Sequence, residues 1–229
     1  QTGIITNANS LWLNDKPFKK DLELALNREV RLMNDANCFT LSEAVDGAGK
    51  DYKSIFGIII GTGFGGGLSY NKSIIEGSNQ IAGDWGHQPL PYPTKEEQET
   101  KISCPSNNCG RPLCAEQFMS GIGFKDRFNQ KYETNFTSEE IVKLDLENDP
   151  RANLELGLYE DRMARLMAVM IGIFDPDAII LGGGMSNIDR FYKNIPTLIP
   201  KYTFSNKVYT KVLKNLHGDS SGVRGAAWL

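Results

Sequence analysis

One stretch decides the fold, namely Ser54-Ile55-Phe56-Gly57-Ile58-Ile59-Ile60-Gly61-Thr62-Gly63-Phe64-Gly65-Gly66-Gly67. Its apolar first half predicts a strand buried on both faces, which is typical of α/β proteins. The glycines that follow satisfy G-x-G-x-x-G, but residues 68–75 predict a β-hairpin around Asn71-Lys72, where a dinucleotide fold requires a helix. The glycine loop therefore either presents backbone N–H groups to a phosphate, with the Thr62 hydroxyl as a further donor, or is a tight structural turn.

A second glycine-rich turn follows a second predicted strand. A long helix with one apolar stripe is predicted from about residue 151 to 174, and a short buried strand is predicted to follow from Ala178 to Leu181. Gly182-Gly183-Gly184 comes directly after that strand. Such a turn lets the ribose or phosphates of a nucleotide approach the backbone closely, and a purely structural turn is the equal alternative.

A carboxylate stands at a predicted strand-to-helix corner. The sequence predicts a strand from Glu29 to Met33, followed by a helix that starts at Asn34-Asp35 and runs to about Val45. Asx residues at this place commonly cap the helix. Ligand sites of open α/β sheets also lie at the carboxyl ends of strands, so Asp35 is equally a candidate general base.

The segment from residue 83 to 116 combines metal ligands with carboxylates. His87, Cys104, Cys109 and Cys114 can supply the four N/S ligands of a tetrahedral zinc, and free or buried thiols are the alternative. The odd number of thiols here and the absence of a leading apolar segment argue against disulfides. Asp84 and Glu116 bracket these ligands and are candidates to accept hydrogen bonds from the hydroxyl groups of a small polar ligand.

Composition limits the classes of protein that this chain can belong to. With 229 residues, 40% hydrophobic and 23% charged, the chain can form one large domain or two small ones. No run reaches the ~18 apolar residues that span a bilayer, and a net charge of -3 without a basic cluster argues against nucleic acid as a partner. We expect a cytoplasmic protein. Because the sequence opens at Gln1 without a methionine, we also expect a cut inside a longer chain.

Five motifs together resemble the ROK sugar kinases, in their order and spacing. They are Asn34-Asp35-Ala36-Asn37, Gly61-Thr62-Gly63, Gly83-Asp84-Trp85-Gly86-His87, Cys109-Gly110 with Cys114-Ala115-Glu116, and Gly182-Gly183-Gly184-Met185-Ser186-Asn187. Residues 7–10, 34–47 and 217–228 are most similar to the bacterial fructokinase branch. The resemblance implies the actin-like ATPase (ribonuclease H-like) fold, an α/β fold with two lobes around a cleft. Residues 1–48 would then be the end of the amino-terminal lobe, and residues 49–229 the carboxy-terminal lobe with a zinc-binding insertion at about 84–116.

The resemblance also implies roles for single residues. Asp35 would be the catalytic base, and Asn34, Asp84, His87 and Glu116 would bind the sugar. His87 would also ligate a structural zinc together with Cys104, Cys109 and Cys114. Gly61, Thr62 and Gly63 would contact phosphate, and Gly182, Gly183 and Gly184 would form the adenosine-side turn. The expected activity is transfer of the γ-phosphate of ATP, with Mg²⁺, to the 6-hydroxyl of a hexose, fructose being the expected substrate, in a homodimer.

This chain departs from the family pattern in three places. Asp84 stands where the family has glutamate, and four residues rather than one separate Cys104 from Cys109. The Asp-x-Gly-x-Thr phosphate loop of the amino-terminal lobe does not occur in the sequence, so a chain inactive on its own is one expectation. Three rival classes therefore stay open: a sugar-sensing regulator of the same family, a sugar-binding module with structural zinc and no kinase activity, and a zinc-dependent hydrolase.

Overall fold

A five-stranded mixed sheet forms the centre of the molecule. The computed structural model describes residues 4–5, 11–100, 102–105 and 109–229, so residues 7–10 of the fructokinase-like motif lie outside the described residues. The strand order is β3-β2-β1-β4-β5. The strands are β1 (Ser54–Ile60), β2 (Phe64–Tyr70), β3 (Ser73–Ile74), β4 (Ala178–Gly182) and β5 (Lys211–Lys214). Strand β1 pairs antiparallel with β2 and parallel with β4, while β3 and β5 form the edges.

Helices cover both faces of this sheet. In chain order they are α1 (Phe18–Leu26), α2 (Asp35–Val45), α3 (Lys95–Gln98), α4 (Ala115–Met119), α5 (Gly121–Tyr132), α6 (Ser138–Leu146), α7 (Pro150–Phe174), α8 (Arg190–Leu198) and α9 (Ser221–Ala227). Alternate residues of β1 belong to different cores, as a strand with a period of two requires. Phe56 and Ile58 pack with α4, α5 and α7, whereas Ile55 packs with Phe39 of α2.

The hairpin predicted after β1 is present. Asn71 and Lys72 both have positive φ, at 51° and 61°, which is the backbone conformation of a two-residue type I′ turn. The loop before it, residues 61–63, joins β1 directly to β2 as an antiparallel pair. The prediction that no dinucleotide-type helix follows the glycines is therefore confirmed.

Helix α7 is the longest element of the described chain and has recognisable ends. Asp149 caps its first turn by accepting hydrogen bonds from the N–H groups of Arg151 and Ala152, and Pro150 occupies the first helical position. The helix ends at Phe174, and the next residue, Asp175, has the left-handed φ of 48°. No helix among the described residues combines the length and the apolar character that crossing a membrane requires.

The strand predicted at residues 29–33 is wrong. This segment runs outside the five-stranded sheet, and Leu32 is exposed. A strand needs a neighbouring strand for its N–H and C=O groups, and the sheet edges β3 and β5 do not pair with it. Asp35 therefore follows an extended segment rather than the end of a paired strand.

Candidate active site

The loop that carries Asp84 and His87 lies directly against β2. A β-carbon added at Gly86 would lie 1.8 Å from the carbonyl oxygen of Phe64. A β-carbon at Gly83 would lie 2.8 Å from the carbonyl oxygen of Gly66, and the φ of Gly83 is +87°. Only glycine fits at these two positions, so the backbone on both sides of Asp84 rests on the first half of β2.

Helix α2 brings Asn34 and Asp35 to the same part of β2. The side-chain oxygen of Asn34 accepts hydrogen bonds from the N–H groups of Ala36 (2.9 Å) and Asn37 (3.3 Å), so Asn34 is the helix cap. Asp35 occupies the first helical position with an exposed side chain, and its Oδ1 accepts from the Ala36 N–H at 2.8 Å. Ala36 faces Gly65 of β2, where an added β-carbon would lie 3.8 Å from the Ala36 methyl.

Glu116 reaches β2 from the first turn of α4. Its side chain is only 8% exposed, and its Oε2 accepts a hydrogen bond from the Phe64 N–H at 3.2 Å. Its own N–H donates to the Gly86 carbonyl at 2.8 Å, which ties α4 to the loop that carries Asp84. Three sequence-predicted carboxylates, Asp35, Asp84 and Glu116, are thus carried by elements that meet on the start of β2.

The four proposed metal ligands form one cluster. The ligand atoms of His87, Cys104, Cys109 and Cys114 all lie within 4.8 Å of one another. His87 Nδ1 lies 3.4 Å from Cys114 Sγ, and Cys104 Sγ lies 3.3 Å from the same sulfur. Zn–S bonds of ~2.3 Å place the corners of a tetrahedron about 3.8 Å apart, so this donor set and its spacing fit a zinc ion. Neither the three cysteines of this cluster nor Cys38 is in a disulfide.

Backbone pairing holds the two ends of this metal segment side by side. The Leu90 N–H donates to the Leu113 carbonyl at 2.7 Å, and the Ala115 N–H donates to the Gln88 carbonyl at 2.8 Å. Cys114 is fully buried between these contacts, and burial raises the pKa of its thiol. A bound cation would favour the thiolate instead, so metal binding at this cluster would release protons.

A buried ion cluster that was not predicted from the sequence joins α3, within the metal segment, to α7. Glu97 of α3 accepts from Arg162 Nε at 2.7 Å and from Arg165 Nη2 at 2.8 Å, and all three side chains are almost fully buried. Arg165 also donates to the carbonyls of Pro91 and Tyr92, at 3.0 and 2.8 Å, and so anchors the chain that follows His87. The sequence carried a partial indication, since Thr94-x-x-Glu97 is a capping box.

The charge of Glu97 depends on these two arginines. Burial alone would raise the pKa of this carboxyl, but hydrogen bonds from Arg165, from the Thr94 backbone and from Arg162 outweigh it and lower the pKa to about 2. Glu97 is therefore ionised at neutral pH, as a buried carboxylate paired with two guanidinium groups should be.

The two glycine turns meet at one cleft of about 730 Å³. Gly61 and Thr62 line it from the turn after β1, Gly184 from the turn after β4, and Lys125 from α5. The other predicted glycines have different neighbours. A β-carbon at Gly63 would lie 3.2 Å from Glu116 Oε2, one at Gly182 would lie 2.4 Å from Phe39, and one at Gly183 would lie 2.5 Å from the Ile60 carbonyl.

The comparison with protein families matches the whole sequence. The ROK family model covers residues 1–229. The chain belongs to the ROK family. The motifs at Asn34-Asp35, Gly83–His87 and Cys114–Glu116 that implied this membership are the ones that the structure brings together around β2.

Curated relatives of this ROK protein are named for N-acetyl-D-glucosamine, not for the fructose that we expected. The N-acetyl-D-glucosamine kinase of Vibrio atlanticus is 38% identical over 214 residues, which is 93% of this chain and 71% of the relative. That of Vibrio cholerae is 37% identical over 227 residues, which is 99% of this chain and 75% of the relative. The fructokinase branch is therefore not the part of the family that these relatives support.

Solved structures show that the chain has the actin-like ATPase fold. A ROK family glucokinase from Streptomyces griseus, in complex with glucose and AMPPNP, has a TM-score of 0.81 at 22% identity and covers 99% of this chain and 75% of its own. A ROK family transcriptional regulator has a TM-score of 0.83 at 19% identity and covers 99% of this chain and 58% of its own. The fold expectation is confirmed, and the fold alone does not separate kinases from regulators.

Proposed function

We propose that this ROK protein is an ATP-dependent sugar kinase that phosphorylates the 6-hydroxyl of a hexose, with N-acetylglucosamine as the preferred substrate. The substrate is proposed from the curated relatives, which are N-acetyl-D-glucosamine kinases at 37–38% identity. The proposal includes two lobes divided near residue 48, and a zinc-binding insertion at about residues 84–116.

One observation supports a transfer reaction more than any other. The turn between β1 and β2 borders two sites: Glu116 lies against Gly63 on one side, and Gly61 and Thr62 line the cleft on the other. A sugar held by the carboxylates and a nucleotide in the cleft would therefore meet at residues 61–63. Phosphoryl transfer depends mainly on such positioning and on charge stabilisation.

Asp35 is proposed as the general base. Its exposed carboxylate takes the proton of the sugar 6-hydroxyl while that oxygen attacks the γ-phosphorus, the bond to the β–γ bridging oxygen breaks, and ADP leaves. Asn34, Asp84 and Glu116 offer acceptors for the remaining hydroxyl groups. The backbone of Gly61 and the Thr62 hydroxyl, which line the cleft, would contact the phosphates of the nucleotide there, and Mg²⁺ would supply positive charge that offsets part of the phosphate charge.

The metal cluster is proposed to hold a structural zinc. Four protein ligands saturate a tetrahedral zinc and leave no position for water, which argues against a zinc-dependent hydrolase. His87 Nδ1 faces Cys114, so the opposite ring nitrogen, Nε2, is the one that can contact a sugar hydroxyl. Zinc would then fix His87 relative to Glu116, because His87 is a ligand and Glu116 Oε1 lies 3.6 Å from the Sγ of the ligand Cys104.

A kinase assay with a panel of sugars tests this proposal. The full-length protein is incubated with ATP, Mg²⁺ and N-acetylglucosamine, fructose, glucose or N-acetylmannosamine, and ADP release is measured. We expect kcat/KM to be highest for N-acetylglucosamine. Asp35→Asn should lower kcat by at least ~10³-fold while sugar binding by calorimetry persists, because general base catalysis is lost but the fold is kept.

The same assay distinguishes the rivals. Asp51→Asn, which changes an exposed carboxylate outside the site, serves as the matched control and should retain full activity. Near-equal rates for the protein and Asp35→Asn would eliminate Asp35 as base. Sugar binding without any turnover would favour the regulator or the sugar-binding module, and a higher kcat/KM for fructose would restore the first expectation.

A further inference from the structure

Helix α2, which carries Asp35, is closed off on its sheet-facing side. A β-carbon at Gly57 of β1 would lie 2.1 Å from Thr40 Oγ1, and a β-carbon at Gly182 of β4 would lie 2.4 Å from the ring of Phe39. Real β-carbons do not approach other heavy atoms within 3.0 Å, so the helix already sits as close to the sheet as glycine allows. It has no room to move toward the sheet.

Helix α9 closes off the opposite side of α2. A β-carbon added at Gly225 would lie 1.7 Å from the carbonyl oxygen of Cys38 and 2.3 Å from its carbonyl carbon. Cys38 is two residues beyond Ala36 and thus about 200° around the helix, on the face away from the sheet. The contact also lies within one helical turn of Asp35.

A buried carboxylate fixes the position of α9. Glu43 of α2 is fully buried, and it accepts hydrogen bonds from the Leu216 N–H at 3.0 Å, the His217 N–H at 3.4 Å and the Ser221 hydroxyl at 2.8 Å. These three donors belong to the start of α9 and the loop before it. A buried carboxylate loses much free energy when its donors are removed, so α9 is firmly attached to α2.

A second set of contacts lies outside that buried carboxylate. Asp46, which follows α2, accepts from His217 Nε2 at 3.0 Å and pairs with Arg224 of α9. The start and the middle of α9, at Ser221 and Arg224, are thus tied to the carboxyl end of α2. Gly225 lies against α2 nearer its amino-terminal end, at Cys38.

We propose that Gly225 is a positioning residue for Asp35: the absence of a side chain at this residue of α9 sets where α2 lies, and thereby where the general base stands. The inference rests on the proposed function, since it concerns the base of that reaction. Without a side chain at residue 225, α2 fits between the sheet on one side and α9 on the other, and this packing fixes its distance from the sheet. With a side chain there, α2 can only tilt, because the sheet blocks retreat and Glu43 resists outward movement of α9.

The structure indicates how large the effect should be. Relieving a contact of 1.7 Å to the 3.0 Å limit requires α2 and α9 to separate by about 1.3 Å near Cys38. Misplacing a reacting group by ~1 Å costs on the order of 10²-fold in rate. Gly225→Ala should therefore lower kcat about 100-fold.

Gly222→Ala is a closely matched control. Gly222 lies one turn earlier on the same helix, and a β-carbon there would meet no atom within 4 Å. Both changes add the same methyl group to the same helix and replace glycine by a better helix former. Only Gly225→Ala places the methyl against α2.

Two measurements test the proposal: kcat per folded enzyme with the preferred sugar, and a crystal structure of each variant superposed on β1, β2 and β4. We expect Gly225→Ala to move the Asp35 Cα by about 1 Å and to lower kcat about 100-fold, with Gly222→Ala within 2-fold of the unchanged protein. An unmoved Asp35 would overturn the proposal even in an inactive protein, as would a displaced Asp35 with full kcat. Absence of kinase activity in the unchanged protein would instead reject the proposed function. The measured displacement of Asp35 would then still decide whether Gly225 sets the position of α2.

Ser221→Ala provides a milder variant for the case that Gly225→Ala does not fold. It removes the hydroxyl that donates to Glu43 and adds no atoms. The attachment of α9 to α2 is therefore weakened, whereas Gly225→Ala forces the two helices apart. We expect a several-fold loss of kcat that is absent in the control Ser205→Ala, where Ser205 is exposed and its hydroxyl hydrogen-bonds with the backbone of the neighbouring Lys207. Equal kcat in both serine variants, with a lowered melting temperature for Ser221→Ala alone, would assign Glu43 and α9 a purely structural role and refute the proposal.

Discussion

Glu97→Gln is the substitution with the largest expected effect on stability. It removes the carboxylate between Arg162 and Arg165, whose side chains are only 4% and 3% exposed. Breaking a buried ion pair from one side leaves an uncompensated charge and costs about 3–5 kcal/mol. Since Arg165 also holds the carbonyls of Pro91 and Tyr92, the loss should loosen the chain that follows His87 as well.

The effect should depend on pH with a definite sign. The pKa of Glu97 is lowered from 4.5 to about 2 in the folded protein, so its contribution is complete above about pH 4.5 and is lost as the pH falls toward 2. At about 1.4 kcal/mol for each pKa unit, that contribution amounts to about 3 kcal/mol. Protonated Glu97 resembles glutamine, and the difference between the protein and Glu97→Gln should therefore shrink in acid.

Urea unfolding at pH 7, 5, 4 and 3 measures this difference. The control is Glu96→Gln on the same short helix, where the carboxylate is 69% exposed and contacts Lys131 at 3.4 Å. We expect Glu97→Gln to lower the free energy of unfolding by at least 3 kcal/mol at pH 7 and by clearly less at pH 3, with Glu96→Gln within about 1 kcal/mol throughout. A loss under 1 kcal/mol at pH 7, or a gap that does not change with pH, would refute the reasoning.

Two further predictions concern the metal and the loop on β2. Cys114→Ser should reduce bound zinc from about one per chain to near zero by elemental analysis, whereas Cys38→Ser, remote from the cluster, should keep it; equal zinc in both would exclude the four-ligand site. Gly86→Ala should raise the KM for sugar at least ~10-fold, because its β-carbon would lie 1.8 Å from the Phe64 carbonyl and must displace the loop. Gly157→Ala, with open space around it, should leave KM unchanged, and an unchanged KM in Gly86→Ala would show that the loop does not position the sugar ligands.

The sequence predicted those parts of the structure that depend on local pattern. The bounds of β1 and the start of α2 at Asp35 were correct because a continuous apolar run and an Asx cap act on their own neighbourhood. The strand at residues 29–33 was wrong because pairing depends on a neighbour that local sequence does not reveal. For the same reason nothing in the sequence paired Glu97 with Arg162, which lies 65 residues further along the chain.

The glycines of residues 61–67, in the turn before β2 and in its first half, show how the two halves of the proposed site are connected. From the sequence, the glycine loop that begins at Gly61 indicates either a phosphate loop or a tight turn, and of residues 61–67 only Gly61 and Thr62 line the cleft. An added β-carbon at Gly63 would meet Glu116, and one at Gly67 would lie 2.6 Å from Thr40 Oγ1 of α2. The absence of side chains at these glycines thus lets α2, which carries the proposed base, and Glu116, beside the metal cluster, pack against the same part of the chain. A change that shifts the start of β2 should therefore move the proposed sugar ligands and the turn beside the cleft together, which would couple sugar binding to phosphoryl transfer without a separate connecting element.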